Sequence, residues 1–111
     1  MTGDMLTAAG ILNRRGRFLR MPTEESHAVW FDHITVDGAD RLASAFSAPR
    51  IYTHDITVEL YEPKPDDDAE AAFEAELDAH GLLWTKQDRY WLDDVQRYQV
   101  IYEYSYTSKT K

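Results

Sequence analysis

Residues 91–106 read WLDDVQRYQVIYEYSY, and this stretch decides the fold. Its second half alternates two sets of residues. One set is apolar or aromatic and comprises Tyr98, Val100, Tyr102, Tyr104 and Tyr106; the other is mostly polar and comprises Gln99, Ile101, Glu103 and Ser105. A period of two places one set on each face of a pleated strand, whereas helical neighbours recur every three or four residues. The sequence therefore predicts a half-buried β-strand over 98–106.

A second strand and a helix precede this stretch. Arg50–Glu62 (RIYTHDITVELYE) alternates in the same way and is predicted to be a strand. The helix predicted over 67–80 begins with acids at the positive end of its dipole, and Gly81 stands at its C-cap. Phe73 and Leu77 lie on its apolar side, so we expect both to be buried against the sheet.

The remaining segments complete a single domain over 1–111. They predict a helix over 4–15, strands over 17–21 and 28–36, and a hairpin made of 82–86 and 90–92. Residues 37–49, rich in small residues, predict a long loop that is mobile alone and ordered by a neighbouring subunit; a plain surface loop with one helical turn over 41–46 is the alternative. The predicted fold class is α+β, a mainly antiparallel sheet of about four strands with two helices packed on one face.

Composition excludes several classes of protein. The 111 residues carry a formal net charge of -8, from 20 acids against 12 Lys and Arg, and such a surface repels nucleic acid. There are no cysteines, so disulfides and thiolate metal sites are excluded. The apolar runs are too short to span a bilayer, and the first residues lack the pattern of an export signal. We therefore expect a protein of the cytoplasm, or of a particle assembled there.

No motif for chemistry is found. The four histidines, His27, His33, His54 and His80, show no metal-ligand spacing. His54 cannot pair with Asp55 inside a strand, because adjacent side chains point to opposite faces. Phosphate-binding glycine loops and a serine elbow are also missing. The sequence predicts no catalytic residue, no metal and no cofactor, and hence no enzyme.

The span from Ile56 to Tyr104 resembles the tail-completion or tail-terminator proteins at the neck of long-tailed bacteriophages and prophages. Four segments carry the resemblance: the strand ITVELYE, the acidic helix DDDAEAAFEAELDAHG, a Trp–x–Lys strand at 84–86, and the closing strand YQVIYEY at 98–104. Their order and spacing match over about half the chain. The resemblance implies an α/β protein without catalytic residues that closes into a ring, expected to be a hexamer.

A neck role implies particular partners and surfaces. The ring would cap the finished tail tube and join it to the head connector, so the partners are other copies, the major tail tube protein and the head-connector proteins. Its location would be the virion neck, after assembly in the host cytoplasm. DNA would pass without specific binding along an acidic lumen wall, with Asp55, Glu59 and Glu103 as candidates. Candidate subunit-interface residues are Tyr61, Trp91, Tyr106, Arg41 and Phe46; ordinary core packing is the alternative for the aromatic ones.

Two other functional classes of protein stay open. A small cytosolic α+β binding or regulatory module that acts as a dimer would fit the same sheet and helix pattern. A small hydrolase or isomerase with a site that motifs miss is the third. For the neck reading, we expect a monomer or weak oligomer when dilute, because like charges repel at low salt, and a ring when concentrated or at higher salt.

Overall fold

The computed structural model describes residues 1–17, 24–37 and 51–109. Two helices and six strands follow in chain order: α1 Thr2–Ala8, β1 Leu12–Arg15, β2 His27–Asp37, β3 Ile51–Glu62, α2 Asp67–Ala79, β4 Trp84–Lys86, β5 Tyr90–Leu92 and β6 Arg97–Lys109.

The strands form one mixed sheet in the order β1-β2-β3-β6-β4, with β5 also paired to β6. Strands β1 and β2 run parallel, and every other pair is antiparallel. Of the described residues 51% lie in strands and 22% in helices. The predicted fold class, a mainly antiparallel sheet of about four strands, is therefore wrong in strand number and in sheet type.

Two local misreadings explain the difference. The helix predicted over 4–15 ends at Ala8, because Gly10 adopts a φ of 78° that turns the chain out of the helix. Residues Leu12–Arg15 then pair in parallel with β2. The second misreading is the hairpin: β4 and β5 do not pair with each other but lie one after the other along β6, on the side away from β3.

The sheet has two distinct faces. The register pairs even-numbered residues of β2, β3 and β6 with one another, so their side chains share one face, termed the helix face, and the odd-numbered side chains share the outer face. The buried core lies on the helix face; its largest members are Tyr102, Phe73, Met5, Leu6, Ile56, Leu60 and Leu77.

Both helices contribute to this core. In α1, Met5 and Leu6 are buried; in α2, Phe73 and Leu77 are buried, as their spacing predicts. The Phe73 ring meets the Tyr102 ring edge-on, with centroids 5.1 Å apart. Helix α2 begins where the Asp66 side chain accepts a hydrogen bond from the Ala69 amide at 3.1 Å, which satisfies one of the free amides of its first turn.

Two predicted segments lie mostly outside the described residues. Most of the strand predicted over 17–21 lies outside the described residues. Residue Asp37 ends β2, and the rest of the loop predicted over 37–49, with Arg41 and Phe46, also lies outside them.

Candidate functional site

The three longest strands extend beyond the helices. Past the level of Asp32, Ile56 and Tyr104, strands β2, β3 and β6 continue side by side for five residues each. This part, residues 33–37, 51–55 and 105–109, is termed the distal ribbon. None of its side chains for which burial is described belongs to the buried core, and Ile34 is 44% exposed. The sheet therefore ends in a three-stranded arm that its own described helices do not cover.

One edge of the distal ribbon is formed by β6. Backbone groups of successive strand residues point alternately to the two sides. The Ile101 carbonyl accepts a hydrogen bond from the Gln87 amide at 2.9 Å, so odd-numbered residues of β6 point away from β3. Strand β4 pairs only with residues 102–104 of β6. The backbone groups of Ser105, Thr107 and Lys109 therefore face a side on which no described strand lies.

The opposite edge of the distal ribbon is formed by β2. The Trp30 carbonyl accepts a hydrogen bond from the Gly16 amide at 2.8 Å, so even-numbered residues of β2 point toward β1. Strand β1 pairs with β2 only as far as Trp30. Beyond it, the even-numbered backbone groups over 32–36 have no strand partner within the part of the chain that the structure describes. The ribbon thus has two edges, on opposite sides, with which no described strand pairs.

Three polar side chains on the helix face, Asp32, His54 and Ser108, form a row that runs from β2 across β3 to β6. His54 Nδ1 lies 2.9 Å from Asp32 Oδ2, and His54 Nε2 lies 2.8 Å from Ser108 Oγ. The His54 ring stacks on the Tyr106 ring with centroids 4.4 Å apart. Because a carboxylate only accepts, Nδ1 of His54 donates to Asp32 and, in the neutral ring, Nε2 accepts from the Ser108 hydroxyl. One histidine therefore ties all three strands together.

The chemistry of this row is that of a carboxylate, an imidazole and a hydroxyl in series, the order found in serine hydrolases. Nucleophilic catalysis also needs amide donors aimed at an oxyanion beside the serine. The amide of Ser108 belongs to the even-numbered set of β6, which faces β3 and joins the ladder. A cavity of about 820 Å³ lies elsewhere, at the start of α2, and none of its lining residues belongs to the row. We assign the row the role of holding the strands in register.

The three acids predicted to line a lumen share the outer face. Asp55 and Glu103 are exposed and Glu59 is half-buried. Asp55 accepts a hydrogen bond from the Ser105 hydroxyl at 2.6 Å, and Glu59 accepts one from the Tyr61 hydroxyl at 2.7 Å. These bonds leave the carboxylates at the surface of the outer face. Their lumen role stays a prediction.

The predicted interface aromatics do not form one surface. Tyr61 lies half-buried on the outer face, where its hydroxyl also accepts a hydrogen bond from Gln99 at 3.0 Å. Tyr106 lies on the helix face of the distal ribbon. Trp91 lies on β5, 43% exposed, with its ring against Tyr98. The structure brings none of these three together, and of them Tyr106 alone belongs to the distal ribbon.

An ionic cluster around two buried carboxyls, Glu62 and Glu70, was missed by sequence reasoning and joins the β4–β5 segment to α2. Arg89 donates from Nε to Glu62 Oε1 at 3.1 Å and from Nη2 to Glu70 Oε2 at 2.6 Å. Lys86 Nζ lies 2.8 Å from Glu70 Oε1 and 2.7 Å from Glu74 Oε2. These groups come from β3, α2, β4 and the loop between β4 and β5, and no spacing in the sequence signals their meeting. The cluster fixes the short strands against the helix.

The two buried carboxyls of this cluster titrate in opposite directions. Burial, and then the neighbouring Glu70, raise the pKa of Glu62 to about 8. Burial disfavours the charge of Glu70 as well, but hydrogen bonds from Glu62, Lys86 and Arg89 outweigh it and lower its pKa to about 2. At neutral pH Glu62 therefore keeps its proton while Glu70 is the anion that the two cations hold.

No protein-family model matches this chain, and no curated protein matches it either. Across residues 1–17, 24–37 and 51–109, no group of three His, Asp or Glu side chains is arranged to hold a metal ion. No described helix is long and apolar enough to cross a membrane.

Proposed function

We infer that this protein is a structural subunit of a ring at the neck of a long-tailed phage or prophage, where it caps the tail tube and joins it to the head connector. The observation that carries this proposal is the distal ribbon, which has one edge on β2 and another on β6 with which none of residues 1–17, 24–37 and 51–109 pairs. A subunit with two different adhesive edges on opposite sides adds one neighbour at each. Repetition of such a head-to-tail contact closes a ring when the rotation between neighbouring subunits divides a full turn.

The identity of that ring comes from the sequence resemblance described above. Two physical properties support it. Exposed sheet edges are a liability in a free protein, and proteins usually shorten, charge or cover them unless a partner pairs with them. The outer face carries Asp55, Glu59 and Glu103, a row of acids suited to let DNA slide past without binding.

In the alternative, a binding or regulatory module, one edge would pair with the same edge of a second copy and form a symmetric dimer. Sedimentation velocity across protein concentration and salt distinguishes the two. The ring proposal expects a monomer when dilute and a single closed oligomer, a hexamer, when concentrated or at higher salt, since salt screens the net charge of -8. A dimer that stays unchanged under all conditions would contradict it.

The neck role is tested in the phage itself. Deletion of the gene should leave filled heads and tails unjoined in electron micrographs of the lysate, and the wild-type chain supplied in trans should restore joined particles. Normal particles in the deletion lysate would contradict the neck role even if the purified protein forms rings.

A further inference from the structure

We propose that the free β6 edge of one copy pairs, in parallel, with the free β2 edge of the next copy, so that the sheets of neighbouring subunits become continuous. This inference rests on the proposed ring and names the surface that closes it. The two edges concerned are residues 105–109 of β6 and residues 32–36 of β2.

Strand direction fits this pairing. Strands β2 and β6 are both antiparallel to β3 and therefore run parallel to each other on opposite sides of it. Rotation about an axis along the ribbon preserves strand direction, so β6 of one copy meets β2 of the next in parallel. None of the strands in the described part of the chain has to be reversed or moved for the contact to form.

The residues whose backbone groups point outward on the two edges also match this pairing. In a parallel pair, a residue whose backbone groups face its partner strand bonds to the two residues that flank the one opposite. Thr107 and Thr35 stand at the same level of the ribbon, each paired with Thr53. The free groups of Thr107 would bond to Ile34 and Val36 of the next copy, whose backbone groups are the free ones on that edge. With this pairing, the helix faces of the two copies lie on the same side of the continuous sheet.

The side chains along the two edges are complementary. On the helix face, Ile34, 44% exposed, would lie beside Tyr106 of the next copy and lose water contact. Two β6 edges meeting each other would lack this apolar contact and leave Ile34 exposed. A second copy of this chain, joined β6 to β2, is therefore the occupant that we assign.

Cysteine cross-linking tests the pairing, because the chain has no cysteine of its own. The double variant Thr35→Cys/Thr107→Cys places one thiol on each edge, both exposed and both on the outer face. Within one chain these positions are two strand spacings apart, about 10 Å, which a disulfide cannot span. Between paired copies they are about 5 Å apart, which it can. Because strand tilt in the ring can shift the register by two residues, Thr35→Cys is also combined with Ser105→Cys and with Lys109→Cys.

Oxidation is carried out under conditions where the wild type sediments as an oligomer. We expect one of the three double variants to give a ladder of covalent species up to the closed ring. Each single variant should stay monomeric under denaturing conditions. The matched control Ile34→Cys/Thr107→Cys, with thiols on opposite faces, should give at least tenfold less cross-linked product.

Each other outcome overturns the inference in a recognisable way. A wild-type ring in which none of the three pairs cross-links means that another surface closes the ring; the edge pairing is then wrong and the neck proposal stands. Covalent dimers from Thr107→Cys alone or Thr35→Cys alone mean symmetric self-pairing of one edge. A wild type that never forms an oligomer overturns the proposed ring and this inference with it.

Discussion

His54 and Asp32 lie 22 residues apart in the sequence, yet His54 Nδ1 donates a hydrogen bond to Asp32 Oδ2 at 2.9 Å across two strands. On the other side of the same ring, Ser108 lies 2.8 Å away. The His54 side chain thus links β2, β3 and β6, the three strands that form the distal ribbon. A pair of edges can serve as a docking surface only if the strands that carry them stay in register.

Replacing His54 by Ala should lower the free energy of unfolding by about 2 kcal/mol, because two hydrogen bonds are lost and the Asp32 carboxylate is left without its donor. Urea unfolding followed by circular dichroism measures the change. His33→Ala is the matched control, since His33 is exposed on the outer face of the same ribbon. It should change stability by less than about 0.5 kcal/mol. Equal effects from the two substitutions would show that the row does not tie the strands.

Phe73→Ala should destabilise the protein by about 3–5 kcal/mol, because the ring is fully buried against Tyr102 and its loss leaves a cavity. Ala75→Ser, on the exposed side of the same helix, should cost about 0.5 kcal/mol. Chemical denaturation of both variants provides the comparison. A loss below about 1 kcal/mol for Phe73→Ala would contradict the packing of α2 on the helix face.

Arg89→Ala should cost about 3 kcal/mol, since it removes the cation that pairs with the buried Glu70 carboxylate and donates a hydrogen bond to the buried Glu62 carboxyl. Hydrogen exchange should show faster exchange in β4 and β5, which Arg89 and Lys86 hold to α2. Arg14→Ala, at an exposed position on β1, is the control and should be near neutral. Unchanged exchange in the short strands would show that the cluster does not fix them.

Glu62 predicts a pH dependence of stability. Its pKa is raised from 4.5 to about 8 in the folded protein, so the folded state binds more protons than the unfolded state between these values. Its contribution is fully present below about pH 4.5 and is lost as pH rises through about 8. Glu62→Gln keeps the shape but cannot ionise, so the stability of the wild type relative to this variant should fall as pH rises through this window.

Urea unfolding of both proteins at pH 5, 6.5 and 8, values that span the shift, measures this difference. Glu103→Gln, on the exposed outer face, controls for the change in net charge. A wild type whose stability relative to Glu62→Gln stays constant or rises between pH 5 and 8 would contradict the protonated state of Glu62.

Sequence periodicity predicted the elements whose side chains sort into two faces. Strands β3 and β6 follow from apolar spacing, helix α2 follows from apolar spacing together with the acids at its start and Gly81 at its end, and the buried Phe73 and Leu77 follow from the helix period. Strand β1 was missed because Leu12 continues the apolar spacing of α1, and the turn at Gly10 depends on a backbone angle that many glycines do not adopt.

The local sequence pattern does not show which strands pair with each other or in what register. Residues 84–86 and 90–92 look like a hairpin because they are close in sequence, but β6 offers each a longer strand to pair with. The His54 tie depends on which residues of β2 and β6 stand beside β3, and a one-residue slip would move His54 to the other face. The positions of the two edges with which no described strand pairs follow from the same register. The sequence resemblance therefore predicted a ring but did not predict which surface would close it.

The most direct measurement is the sedimentation of Thr107→Pro beside the wild type and Thr107→Val. Proline removes the Thr107 amide, which points to the free edge of β6, and leaves the ladder with β3 intact. Under conditions where the wild type is a ring, Thr107→Val should also form the ring, whereas Thr107→Pro should sediment as a folded monomer whose unfolding midpoint stays close to that of the wild type. A Thr107→Pro protein that forms the same ring as the wild type would contradict assembly through the sheet edges.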